Sequence, residues 1–101
     1  MPQLITNNKM FEITEMFMLG LAKDMRLIRL SCGLTLEDAS YAVDIEKGKM
    51  SYYENNKQRM TMKTYLKIIY GYQSYCMENN VAIPDILCFH YNFIMRMCDT
   101  N

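Results

Sequence analysis

Histidine occurs once in the 101 residues, proline twice and glycine four times, and tryptophan is absent. With His90 alone, with no Gly-rich phosphate loop and with no short carboxylate cluster, the chain has nothing on which to build an enzyme active site. No cofactor is expected. So little proline and glycine excludes loop-rich and collagen-like classes. No apolar run approaches the roughly 18 residues that a membrane span needs. The start, Met1-Pro2-Gln3-Leu4-Ile5, has neither the basic residues nor the apolar stretch of a secretion signal. An excess of one charge sign is also missing, since eleven basic and eleven acidic side chains cancel. What remains is half hydrophobic, too apolar for disorder. The expectation is a soluble cytoplasmic protein folding as a single domain over residues 1–101.

Four cysteines are present, Cys32, Cys76, Cys88 and Cys98, at long and irregular separations. Each lies among apolar neighbours, and the pattern predicts buried, reduced thiols rather than a disulfide framework. Cys88 and His90 are two apart, a spacing that places them poorly for one metal on one helix face, so no metal site is expected.

The neutral total hides an uneven distribution. Residues 1–20 sum to −1 and residues 71–101 to −2, whereas residues 21–70 sum to +3. Within 47–67 six basic residues face Glu54 alone. Such a window points to a polyanionic partner, with a solvated helix face as the plain alternative.

The chain reads as all helix. Apolar residues at Ile13, Met16, Phe17, Leu21, Met25 and Ile28 predict a helix from about Glu12 to Ser31, stopped by Gly33. Thr35 with Asp38 three residues on forms an acidic variant of the capping box, opening a short helix to about Val43. Asp44 stands where the chain must turn and tolerates a left-handed conformation. A second short helix covers about Lys47 to Glu54 and ends at Asn55-Asn56. Thr61 caps a longer helix whose inner face includes Met62, Tyr65, Leu66, Ile69 and Tyr72. Ile83-Pro84-Asp85 opens the last helix, with proline and an acid in the first turn.

Two short helices around a tight turn, with Ile45 just after it, describe a helix-turn-helix. Gly33-Leu34-Thr35 before the first, Glu37-Asp38 and Ser40 on it, and Ser51-Tyr52-Tyr53-Glu54-Asn55 at the end of the second resemble the phage repressor and Cro-like (XRE) family. Leu66 and Ile68 continue the pattern downstream, and Met25, Ile28 and Arg29 match upstream. The resemblance covers roughly residues 21–70. It implies an all-α, lambda-repressor-like helix-turn-helix bundle of about five helices with an added C-terminal helix. It also implies a sequence-specific transcriptional regulator, a repressor from a bacterium or mobile element, acting as a dimer on double-stranded DNA. Arg29 and Glu54 occupy positions that in the family form an ion pair joining the first helix to the end of the recognition helix.

The chain departs from the family at several positions. Leu36 stands where glutamine usually helps to hold a phosphate, and Ala39 replaces a leucine. Asp44 and Asn56 replace glycines, and Met60 replaces a common proline. Gly48 lies inside the recognition helix, where it either admits a close backbone approach to DNA or loosens the helix. Leu36, Gly48 and the zero net charge keep open an alternative: a protein-interaction module that retains the fold without reading DNA.

In the family's docking mode the N-terminal part of the recognition helix enters the major groove. The resemblance therefore assigns base-facing positions to Glu46, Lys47, Gly48, Lys49 and Tyr52, with Met50 and Tyr53 turned into the core. Tyr52 serves equally well as a structural tyrosine. Phosphate contacts fall to Lys49, Asn55, Lys57, Arg59 and Lys63, while Lys63 and Lys67 fit a solvated face as readily.

Eleven methionines and twelve aromatic residues crowd toward the flanks. The last helix carries Ile86, Phe89, His90, Phe93, Ile94 and Met97 over much of its circumference, which predicts burial on more than one side. These six are the expected homodimer interface, in a C-terminal extension over 71–101. The Met- and aromatic-rich flanks, including the N-terminal extension over 1–20, also suit an adaptable protein partner. His90 among them is expected to be a satisfied or interface-edge histidine.

Overall fold

A computed structural model describes residues 6–98. The ends of both expected extensions, residues 1–5 and 99–101, lie outside the described residues. Among the described residues there are five helices and no strand: α1 (Asn7–Ser31), α2 (Leu36–Val43), α3 (Lys47–Glu54), α4 (Met62–Glu78) and α5 (Asp85–Cys98). This is an all-α helix-turn-helix bundle.

Each start has a local cause. Thr6, Thr35 and Thr61 accept hydrogen bonds from the backbone N–H groups of Lys9, Asp38 and Thr64, all at 3.1 Å, satisfying amides that have no partner inside the helix. The Thr6 cap lets α1 begin at Asn7, earlier than the Glu12 that apolar periodicity predicts. The turns use left-handed residues: Gly33 at φ 75°, Asp44 at φ 56°, Asn56 at φ 56° and Asn80 at φ 55°. At Asp44 the reversal lets the Ile45 N–H donate to the Ser40 carbonyl at 3.1 Å, which ties the start of α3 back to α2.

One core joins the five helices. Met25 and Ile28 of α1, Ala39 and Val43 of α2, Met50 and Tyr53 of α3, Ile68, Ile69, Tyr72 and Cys76 of α4, and Leu87 of α5 are all buried in it. α2 packs on α4 closely enough that a Cβ at Gly71 would stand 3.0 Å from the Val43 Cα. α3 is held between α2 and α1, so both of its neighbours fix its direction.

Three apolar expectations differ. In α1 only Ala22, Met25, Ile28 and Arg29 are buried, while Ile13, Met16 and Phe17 are exposed. In α4, Met62 and Leu66 are exposed and the core face is Tyr65, Ile68, Ile69, Tyr72 and Cys76. The first half of α1 extends past the core, so its stripe is left uncovered by the described residues, whereas Leu66 lies between buried Tyr65 and Ile68 and is simply turned off the core face of α4. Of the four cysteines, Cys32 and Cys76 are buried, with sulfurs 3.5 Å apart, but Cys88 is half-buried and Cys98 exposed. Burial and the Cys76 hydrogen bond push the Cys32 thiol up to about 12, so it stays protonated.

Candidate nucleic-acid interface

α3 begins without a side-chain cap and without an acidic residue in its first turn. Its first-turn amides therefore take no hydrogen bond from a capping side chain. Glu46, Lys47, Gly48, Lys49 and Tyr52 are all exposed, and Met50, Tyr53 and Glu54 are turned inward. Gly48 meets no packing demand from the chain: a Cβ there would stand 3.5 Å from the Glu46 carboxylate, an ordinary contact.

The orientation of this face rests on one buried pair. Arg29 Nε donates to Glu54 Oε2 at 2.8 Å and Nη2 donates to Oε1 at 3.0 Å, while Nη1 donates to the Leu34 carbonyl at 2.9 Å. The guanidinium thus joins α1, the end of α3 and the loop before α2 through one planar group, a geometry that lysine could not reproduce.

The basic residues around α3 divide into two sets. Lys47, Lys49, Lys57 and Lys63 are exposed and make no ion pair among the described residues. Arg59 is engaged by the Glu15 carboxylate of α1, and Lys67 lies 3.8 Å from Asp44. Asn55 has a local task, because its side-chain amide donates to the Ser51 carbonyl at 2.9 Å and closes its own helix. Arg59 and Asn55 are therefore less available for a phosphate than the family pattern implies. Leu36 is half-buried against the core, so the start of α2 brings no polar side chain to the usual phosphate position.

Two cations were missed by motif reasoning. Lys23 and Arg26 of α1 line a shallow depression with Asn55 and Glu54 at the end of α3. Their spacing of three on one helix face was the available signal; the depression itself depends on how α1 crosses α3.

At the other end of the molecule, the six residues expected at a homodimer interface separate. Phe89, Phe93 and Met97 are exposed, Ile86 and Ile94 are half-buried against the core, and His90 is buried. His90 is a structural centre rather than an interface edge. Its Nε2 lies 2.9 Å from Asp24 Oδ2 and its Nδ1 lies 2.6 Å from the Tyr65 hydroxyl. With the proton on Nε2, the ring donates to the carboxylate and accepts from the phenol, linking α1, α4 and α5.

Burial, and secondarily the Asp24 charge, push the Tyr65 hydroxyl up to about 12. The unfolded chain then loses this proton first as pH rises, so stability falls between about pH 10 and pH 12. Thermal melts across that range should show a shallower decline for Tyr65→Phe than for the parent; parallel declines would exclude Tyr65 as a source.

Among the described residues no group of three or more His, Cys, Asp or Glu side chains is placed to hold a metal ion, and no helix is long and apolar enough to cross a membrane. Comparison with family models, with curated proteins and with solved structures finds no match for this chain.

Proposed function

We propose that the protein is a sequence-specific DNA-binding regulator of transcription, of the XRE repressor type, in which two copies occupy an operator without a cofactor. The observation that carries this reading is α3 itself. It is a short helix locked to the body by the Arg29–Glu54 pair, with Lys47, Lys49 and Tyr52 on its open face. Rigid presentation of such a face is what direct readout in a major groove requires. Lys47 suits guanine acceptors, Glu46 suits the cytosine amine, and Tyr52 offers its ring to a sugar or a thymine methyl. Lys49, Lys57 and Lys63 lie where flanking phosphates would run, and Lys23 and Arg26 extend that positive margin past the end of α3. The exposed Gly48 allows the helix backbone a close approach.

A second reading, a protein-interaction module on the same fold, is favoured by two specific placements. Leu36 is half-buried against the core, and Arg59 and Lys67 are paired with Glu15 and Asp44.

Duplex binding at two salt concentrations separates the two. Lys49, Lys57 and Lys63 on phosphates in each of two copies predict that affinity falls about 1,000-fold between 50 and 200 mM salt. Lys47→Glu/Lys49→Glu should abolish binding while leaving the melting temperature unchanged, because both side chains are exposed. No duplex binding at low salt, or binding indifferent to the charge reversal, would overturn the regulator and leave the interaction module.

A further inference from the structure

We infer that α1 and α5 form a self-complementary surface that takes a second copy of this chain, with the two α1 helices crossing near Gly20. The inference rests on the dimeric form proposed above; its test uses no DNA, so that either can fail alone.

The first half of α1 buries none of its side chains. Met10, Ile13 and Phe17 nevertheless share one face at helical spacing and are 54%, 48% and 65% exposed. That face runs on through Gly20 and Leu21 into a groove of about 540 Å³ between α1, the start of α4 and α5. The far wall of the groove carries Met62, Phe89 and Phe93, at 58%, 66% and 49% exposure. An apolar ridge and an apolar groove therefore adjoin on one surface.

Taking roughly 200 Å² for each full side chain, these six and the neighbouring Met16 expose on the order of 800 Å² of apolar surface. Each partner in a stable interface contributes about that area, and a lone soluble domain seldom leaves so large a patch open. A two-fold axis matches such a surface to itself, setting the ridge of each copy into the groove of the other. Around this surface Lys9 is paired with Glu12 and Glu15 with Arg59, and the Asp24 carboxylate at the groove wall accepts a hydrogen bond from His90, all within one chain.

Gly20 supplies an independent reason for a helix partner. Glycine weakens a helix interior, and this one sits well inside α1. Yet a Cβ there would meet nothing within 4 Å among the described residues. The chain's own packing has no use for the missing side chain. A second helix crossing over Gly20 does, because its backbone then approaches to close contact.

Sedimentation of the full chain from micromolar to millimolar concentration should give twice the 12.0 kDa mass of one chain. Phe17→Glu and Phe89→Glu should each return the single-chain mass with unchanged helical circular dichroism. Gly20→Leu should weaken self-association at least about tenfold; because it raises helix propensity, that loss cannot be assigned to unfolding. Met95→Glu, about 120° around α5 from Phe89 and outside the groove lining, should leave the dimer intact. A single-chain mass at millimolar concentration overturns the inference, as does a dimer that survives both Phe17→Glu and Gly20→Leu or is broken by Met95→Glu.

Discussion

Glu54→Ala is expected to lower stability by about 3–5 kcal/mol, because it leaves the Arg29 guanidinium buried without its carboxylate. The side chains of the pair are only 9% and 4% exposed, so water cannot replace the lost partner. For a domain of this size each kcal/mol moves the melting temperature by about 4–8 °C. A fall of at least about 12 °C should appear in thermal circular dichroism. Arg29→Met/Glu54→Leu, which removes both charges, should recover most of that loss. The double variant should nevertheless bind duplex DNA more weakly than the parent, since α3 then lacks the hydrogen bonds that set its angle. A shift of only about 2 °C in Glu54→Ala would place the pair with ordinary surface ion pairs and remove the argument for a rigidly presented helix.

Gly71→Leu is expected to cost at least about 3 kcal/mol by forcing α2 off α4. A Cβ at this position would stand 2.8 Å from Val43 Cγ1, 3.0 Å from the Val43 Cα and 3.1 Å from the Ala42 carbonyl oxygen. Two of those three neighbours are backbone, which no rotamer change can clear. Gly71→Ala meets the same obstruction and should still destabilise by about 1 kcal/mol after its gain in helix propensity of similar size. Gly48→Ala is the contrast, since its Cβ would find only an ordinary contact. It should stabilise the protein by about 0.5–1 kcal/mol. Denaturant titrations of the three variants check the signs together. Stabilisation by Gly71→Ala would show that α2 and α4 do not meet as closely as the Val43 contact requires. Because α2 carries the Asp44 turn that leads into α3, Gly71→Leu should also reduce duplex affinity.

The helices themselves were legible because their signals are local. Thr35 with Asp38, Asp44, Asn56, Thr61 and Pro84 act within one turn of the chain, and each stands where the structure starts, stops or reverses a helix. The Arg29–Glu54 pair was legible only through the family resemblance, as nothing in a spacing of 25 residues announces a contact. Gly71 gave no warning, since a glycine inside a helix looks like a weakness until the opposing helix is in place.

Composition and periodicity alone determined that the chain is all-α and that one basic stretch surrounds the second short helix. They also showed that methionine and aromatic side chains concentrate toward the two ends. Tertiary structure decided which of those side chains are covered. It buried His90, left Ile86 and Ile94 half-buried against the core, left Phe17 and Phe89 facing one groove, and tied Arg59 to Glu15. The reason is physical: propensity and capping act over three or four residues, whereas burial and ion pairing depend on the angle at which distant helices cross, and that angle is a property of the whole core.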